Sequence, residues 1–380
     1  MSRIRVQLLL TALVGCAACS ERTSEHVDRM MVLSPTPLRT FCADSVPIEN
    51  CQWRRALFIK RSSNGDVAVL DGPTTLYLFR PSGEGRLIGR EGRGPGEFQF
   101  IADFAIGDSS EITVYDVRQF RADILDRQGR SLQTSGLAFG DELSGIKVFP
   151  ERVAFLVVEP GDSLAAKVGG SIVVHNIGGA AQSRSIRITT RAQRVKGTEF
   201  LPIPKPFAPK ILWDINRRGD VAIGYGDDEE ITIHHADGSG KTRIHMFWQA
   251  AAVSQLELDS VEGAITQPGG RPSTAPGYEA RATELLKQLP ARHALSDELI
   301  LLDGGELLVH RAGTSNGMAR WEMFAPSGNH IGSLALARTD RLAYVLADTV
   351  GVLHESSDGA LSLSEYTMKP SNSLPPTQQP

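Results

Sequence analysis

Cysteine is scarce in this chain: four in 380 residues, with Cys16 and Cys19 close to the N-terminus and Cys42 and Cys51 farther on. The later pair has neither Cys-x-x-Cys spacing nor a histidine beside it, so a thiolate metal site is a poor reading. Aromatic residues are also few, at 6%. Charge of neither sign dominates. The formal net charge is −4 and the pI is about 6.2, so the basic footprint of a nucleic-acid binder is missing. After residue 19 no run of about 18 apolar residues occurs, the length that a helix needs to cross a bilayer. A sensor ectodomain with its own spanning helix is therefore disfavoured. Two catalytic signatures are absent too. There is no His-Glu-x-x-His, and no Gly-Lys-Ser/Thr ending to the glycine-rich stretch.

What the chain does have is glycine and proline, 37 and 21 residues, set between short apolar runs. The stretch from Gly89 to Leu132 shows the pattern best. Gly89, Gly92, Gly94, Pro95 and Gly96 exclude regular helix or strand and make a connector of defined shape. Phe98 and Phe100 then anchor the chain to a core. Ile112, Val114 and Tyr115 form one β-run and Ile124 with Leu125 another, each bounded by turn residues. Such runs of about four to six residues are too short for packed helices.

The unit repeats, and the repeat decides the architecture. The first copy runs from Asn64 through VAVLD and LYLF to Pro81-Ser82-Gly83, and the second is the stretch above. A third carries RVAFLVVE and SIVVHN, a fourth NRRGDVAIGYG and EITIHH, a fifth DELILLDGGELLVH and RWEMF. The last carries RLAYVLADTVGVLHE and LSLSEYTM. Six strand sets, none able to bury both faces alone, must stack, and closing them into a ring protects their edges. The segment WRRALFIKR before Asn64 is a candidate strand for completing the last set. Two interruptions stand out. Residues 191–213 contain LPIPKPFAPK and suit a loop. Residues 249–292 have helix-forming composition, with Ala282, Leu285, Leu286 and Leu289 on one face of YEARATELLKQL. That insertion suits a lid on the ring or a helix for a partner. Residues 370–380 are Pro- and polar-rich and suit a disordered tail.

The second unit resembles one blade of an NHL-type β-propeller. The residues that carry the likeness are Gly94-Pro95-Gly96-Glu97-Phe98, then Asp116, Arg121, Ile124, Leu125, Asp126 and Gly129. Gln119 stands where that family usually has Asn, and Ala122-Asp123 where its strand is typically Ile-Gln. The later units, with Asp348-Thr349-Val350-Gly351-Val352, Gly359 and Tyr366-Thr367-Met368, resemble the six-bladed, NHL-like or TolB-like propeller family common among bacterial lipoproteins. The resemblance spans most of 52–369. It implies an all-β fold, a six-bladed β-propeller with a small helical insertion, over residues 38–369. It implies no common activity.

The N-terminus is consistent with an exported protein. Residues 1–19 read as a signal segment, with Arg3 and Arg5 before an apolar stretch from Val6 to Val14. Leu13-Val14-Gly15-Cys16 looks like the bacterial lipobox, which makes Cys16 the lipidated residue. Ordinary cleavage near Ala17-Ala18 and lipidation of Cys19 are the alternatives. Ala17 after Cys16 is not the retention Asp, which favours the outer membrane. Residues 20–37 read as a tether, with an irregular arm packed on the domain as the other reading for Met30 to Leu33. In an oxidising compartment Cys42 and Cys51 are expected to form a disulfide.

Candidate chemistry is thin. His234 and His235 are adjacent in a strand and point to opposite faces, so they cannot share an ion. Asp227, Asp228, Glu229 and Glu230 lack the spacing of a calcium loop. No metal and no cofactor is assigned. Trp53, Trp213, Trp248 and Trp321 are expected in the core. The most promising polar group is arginine-rich: Arg86, Arg90, Arg93, Arg118 and Arg121. Arg90, Arg93, Arg118 and Arg121 are candidates to line one face or the channel mouth and grip a carboxylate or phosphate. The alternative pairs Arg121 with Asp116 or Asp123 inside its own hairpin. The expectation is a binding or scaffolding module in the cell envelope, held to the membrane by lipid, with an unidentified protein or small ligand and no nucleic acid. The competing expectation is a metal-dependent propeller hydrolase or lyase that uses the axial channel.

Overall fold

The computed structural model describes residues 29–41, 53, 55–138, 143–163, 166–177, 183–191, 206–266, 283, 286, 287, 289–313 and 317–371. Two short strands come first, β1 (Met30–Leu33) and β2 (Arg39–Phe41). Six antiparallel blades follow. Blade 1 is β3 (Ala56–Arg61), β4 (Val67–Asp71), β5 (Thr75–Phe79) and β6 (Gly85–Glu91), with β7 (Glu97–Phe98) parallel to β6. Blade 2 is β8 (Ile101–Ile106), β9 (Ile112–Asp116), β10 (Arg121–Leu125) and β11 (Ser131–Gly136). Blade 3 is β12 (Leu143–Phe149), β13 (Arg152–Val158), β14 (Lys167–Asn176) and β15 (Ser183–Arg191). Blade 4 is β16 (Ile211–Ile215), β17 (Val221–Tyr225), β18 (Glu230–His234) and β19 (Lys241–His245). A helix, α1 (Gln255–Thr266), precedes blade 5, which is β20 (Ser296–Leu301), β21 (Leu307–Arg311), β22 (Met318–Phe324) and β23 (His330–Ala337). Blade 6 has β24 (Asp340–Leu346), β25 (Thr349–Glu355) and β26 (Leu361–Pro370).

The runs form strands because β-branched and aromatic residues alternate with turn clusters, and the strands then bury both faces. Val67, Val69, Ile112, Val114 and Val221 are fully buried. The core is divided into six clusters, each between consecutive blades. Leu76 and Leu78 of blade 1 meet Phe104 and Val114 of blade 2. Phe41, Val67 and Phe79 meet Tyr344, Leu353 and Leu363 across the junction of blades 6 and 1. That last cluster closes the circle.

The closure corrects two expectations. The segment WRRALFIKR does not complete the last blade, because Ala56–Arg61 within it pairs with β4 as the innermost strand of blade 1. The missing strand comes from farther upstream. β2 lies antiparallel to β26, with Phe41 opposite Leu363, and is the outer strand of blade 6. Within the stretch read as tether, Met30–Leu33 is a regular strand rather than an irregular arm. It runs parallel to β23 and antiparallel to β26, so it joins the outer edges of blades 5 and 6. An unpaired row of N–H and C=O groups on β26 would otherwise face water. At the other terminus Pro370 still belongs to β26, and the Ser371 N–H donates to the Met30 carbonyl at 2.7 Å.

Helix α1 starts with a reciprocal cap. The Ser254 N–H donates to Glu257 at 2.9 Å and the Glu257 N–H to the Ser254 hydroxyl at 3.3 Å. Most of YEARATELLKQL, like residues 1–28 and 372–380 and both Cys42 and Cys51, lies outside the described residues. No helix among the described residues is long and apolar enough to cross a membrane.

Five of the six innermost strands break register near their start. The breaks fall at Ala56/Phe58, Ile101/Asp103, Leu143/Gly145, Ser296/Glu298 and Leu342/Tyr344. An extra residue in one strand of a pair re-aims the side chains beyond it. Here the re-aimed residues border the axis of the ring.

Candidate functional site

An axial cavity of about 1480 Å³ is lined by the innermost strands β3, β8, β12, β16, β20 and β24. Five of those strands carry an ionisable side chain among apolar residues: Lys60, Asp103, Lys147, Asp214 and Glu298. Four of the five are tied into one device used twice. The Lys60 ammonium of blade 1 pairs with Asp103 of blade 2 at 2.8 Å, and the other Asp103 oxygen accepts the Val148 N–H of blade 3 at 2.7 Å. Lys147 of blade 3 pairs with Asp214 of blade 4 at 3.3 Å, and Asp214 accepts the Leu301 N–H of blade 5 at 2.9 Å. Each aspartate thus binds a cation from the blade before it and a backbone donor from the blade after it. Burial alone would push the Lys147 ammonium down, but Asp214, Asp103 and Glu298 outweigh it and hold it above its ordinary value.

Glu298 is different. It is exposed to the lumen, and among the described residues its side chain makes no hydrogen bond or ion pair. Its carboxyl is pushed up by desolvation, against the opposing fields of His310 and Lys147 and with a further push from Asp297. Beside it the His310 imidazole sits 2.6 Å from Asp297 and stacks on Trp321 at 4.9 Å between ring centroids. Lys210, on the connector into blade 4, is exposed at the same cavity and its ammonium has no partner among the described residues.

The two ends of the channel differ. At the end where the innermost strands finish, Arg217 of blade 4 pairs with Asp108 of blade 2 and with Asp303 of blade 5, the latter at 3.2 Å. It also donates to the Ile106 carbonyl at 3.0 Å. Blades 2 and 4 are not neighbours, so this side chain spans the width of blade 3 at the channel mouth. At the end where the strands begin, the rim is built from connectors and α1. There Phe207 packs edge-on against His293 at 4.9 Å, and His293 lies 3.3 Å from Glu257.

The arginines singled out from the sequence do not meet in the channel; none of Arg90, Arg93, Arg118 or Arg121 lines it. Arg121 holds the glycine-rich connector in shape. It donates to the carbonyls of Arg93, Gly94 and Glu97 at 3.2, 3.1 and 2.7 Å and pairs with Asp123 at 2.8 Å. Arg90 pairs with Glu97 at 3.0 Å on the surface. Arg118 lies over the Phe100 ring at 5.6 Å, and Arg93 is exposed. Asp116, the acidic residue that ends β9, accepts the N–H groups of Gln99, Phe100, Arg118 and Gln119. The motif that announces the blade therefore builds the blade. In the acid run, Asp228 pairs with Arg191 at 2.6 Å. Among the described residues no three His, Cys, Asp or Glu side chains gather as a metal ion requires. All four tryptophans are buried.

The channel residues were missed because each was judged within its own strand. The available signal was positional: Lys60, Asp103, Lys147, Asp214 and Glu298 stand inside ALFIKR, IADFAI, SGIKVF, ILWDI and DELIL, the first strand of five successive units.

Comparisons with known proteins agree with this geometry. Residues 59–122 match the model of a family (DUF5128) described as a 6-bladed beta-propeller. The fold is a six-bladed β-propeller. No curated protein matches the chain. Among solved structures, a member of the DUF4221 family from Bacteroides vulgatus superposes with a TM-score of 0.52 at 9% identity, covering 90% of this chain and 99% of that one. A likeness at that identity concerns the fold alone. A chain of the mitotic checkpoint complex gives a TM-score of 0.40 at 10% identity over 96% of this chain and 99% of that one. A streptogramin B lyase gives 0.38 at 9% identity over 90% and 98%. Neither of these two bears on function.

Proposed function

We propose that this propeller is an exported, lipid-anchored binding module of the cell envelope, outer membrane in a diderm host, that holds its ligand in the axial channel. One observation carries the reading: a cavity of about 1480 Å³ whose walls are fixed by inter-blade ion pairs but which keeps the Glu298 carboxylate in its lumen without an ion-pair partner among the described residues. Ligand sites are characteristically preformed and mostly apolar, with a few placed polar groups. A rigid disc with such a channel suits recognition.

The test uses a chain of residues 20–380, incubated with a small-molecule extract of the native envelope, desalted and denatured, with released compounds identified by mass spectrometry. The control is Ile300→Cys, a lumen position, alkylated with a bulky maleimide. The alkylated wild-type chain accounts for reaction at Cys42 and Cys51. We expect a compound that the wild-type chain retains and the blocked variant does not. Equal retention by both, or none by either, rejects the channel as the site. The anchor is tested separately. An alkyne fatty acid fed to cells should label the full chain and fail to label Cys16→Ala, and label that persists in Cys16→Ala rejects Cys16 as the lipidated residue.

A further inference from the structure

The channel is not equally deep in every direction. Blades 1 to 4 line it with their innermost strands and the loops beside them, and blade 6 adds only Leu353 of its second strand to β24. Blade 5 lines it with all four strands: Ile300 of β20, His310 of β21, Ala319, Trp321 and Met323 of β22, and Ile331 of β23. Trp321 and Met323 belong to the apolar cluster that meets Val345 and Val350 of blade 6. The cavity therefore sends a side arm outward between blades 5 and 6. The ladder makes that arm continuous, because Glu298, His310 and Trp321 are successive cross-strand partners. From β20 to β23 is three strand spacings, about 14 Å, in the space between sheets about 10 Å apart. The outer end is spanned by β1, whose Met31 and Leu33 pack on the same cluster. The extra strand thus ties together the two blades between which the arm runs.

His310 stands where the arm leaves the lumen. Its Nδ1 is held 2.6 Å from Asp297 and its ring lies 4.9 Å from that of Trp321, which leaves Nε2 accessible and without a partner among the described residues. Past it, Ala319, Trp321, Met323 and Ile331 on one wall face Leu342 and Val345 on the other. A long, narrow apolar slot with one hydrogen-bonding group at its neck matches a linear chain with a polar head, and a compact ring system would leave its outer part empty. We infer that the side arm is the subsite for an acyl chain, with a hydroxyl or amide at the head of that chain hydrogen-bonded to His310 Nε2. This rests on the channel being a ligand site.

The experiment is calorimetric titration of the 20–380 chain with monoacylglycerols of increasing chain length, below their micelle concentrations, and with glycerol and 2-naphthylmethanol. Glycerol should not bind, and each added methylene should tighten binding about fourfold until the arm is full. Ala319→Phe and Leu342→Trp fill the arm from opposite walls and should abolish the dependence on chain length. In an open arm the new side chains occupy free space, so both variants should melt within about 2 °C of the wild-type chain. His310→Leu should weaken every acyl probe about fivefold to tenfold, the size of one hydrogen bond, and leave the increment per methylene unchanged. Affinity independent of chain length overturns the inference, as does wild-type binding in both filled variants. Melting about 10 °C lower in both filled variants also overturns it, because the arm would then be packed core. Tight binding of 2-naphthylmethanol with weak binding of every acyl probe assigns the arm to a ring and rejects the chain. If no acyl probe binds while the envelope extract yields a channel ligand without an alkyl chain, the acyl subsite is wrong and the binding module stands. If neither experiment yields a ligand, both fall.

Discussion

A chain cut after Phe41 loses its closed ring: its thermal transition falls by about 10 °C or more, or disappears into aggregation. Three losses add up. Phe41 is 2% exposed and packs edge-on against Phe79 at 5.9 Å, and removing such a ring from a core costs about 3–5 kcal/mol. Arg39 goes with it. That side chain donates to the Gly65 carbonyl at 2.7 Å and to Glu365 at 2.8 Å, tying blade 1 to blade 6. Glu365 also accepts from Arg61 at 2.8 Å and from the Tyr344 hydroxyl at 2.6 Å, so the clamp holds four strands and loses one arm. Finally the outer edge of β26 is bared over the length that β1 and β2 covered, a template for pairing with other chains. Circular dichroism melts and size-exclusion chromatography of chains 20–380, 29–380 and 42–380 check this. The first two should melt together and stay monodisperse, and the third should not. A 42–380 chain that melts within about 2 °C of the others would mean that blade 6 is stable with three strands.

The same segment shows where the sequence was legible. The six units could be counted because each couples a Gly- or Asp-containing turn to β-branched runs, and turn chemistry is local. The connector Gly94-Pro95-Gly96-Glu97-Phe98 was readable for the same reason. Gly129, in the turn that faces it, has φ of +80°, and a Cβ there would come 2.4 Å from the Ile88 carbonyl oxygen. Ring closure was not legible. Arg39 and Glu365 lie 326 positions apart, and nothing in MMVL or RTF says that these short runs pair with β23 and β26 rather than belong to a tether. WRRALFIKR looked like the closing strand because it sits just before the first turn, but its partner VAVLD is the nearer one, and hairpin pairing won. The channel failed for a third reason. Lys60, Asp103, Lys147 and Asp214 each look like surface residues in a strand, and only the ring brings successive blades' first strands onto one axis. The arginines are the opposite case, with Arg121 paired to Asp123 inside its own hairpin. Their clustering is real, but Arg121 is spent on carbonyls of the connector, a demand set by backbone geometry that composition does not reveal.

Glu322→Ala lowers the stability of the propeller by about 3 kcal/mol or more and removes part of its acid sensitivity. Glu322 on β22 is fully buried, and four side chains converge on it: Arg311, Arg320 at 2.8 Å, His330 at 2.8 Å, and the Ser333 hydroxyl. Deleting the carboxylate takes away the buried anion shared by two guanidinium groups, each a quarter to a third exposed. Removing one partner of a buried ion pair costs more than the pair itself contributes. Burial alone would push the Glu322 carboxyl up, but hydrogen bonds from His330 and Ser333 and the fields of Arg311 and Arg320 outweigh it and hold it below its ordinary value. The sign follows from linkage. A carboxyl with a lower pKa when folded contributes stability that is complete above its unfolded pKa and fades as pH falls through its folded one. Urea denaturation of the wild-type chain should therefore show stability falling from about pH 5 downward, and the Glu322→Ala chain should start lower and fall less over that range. Arg320→Met provides the comparison. It removes one cation, leaves Arg311, His330 and Ser333 on the carboxylate, and should cost less than Glu322→Ala. If Glu322→Ala melts with the wild-type chain, or if its acid slope is unchanged, the four-sided clamp is not what fixes the outer half of blade 5.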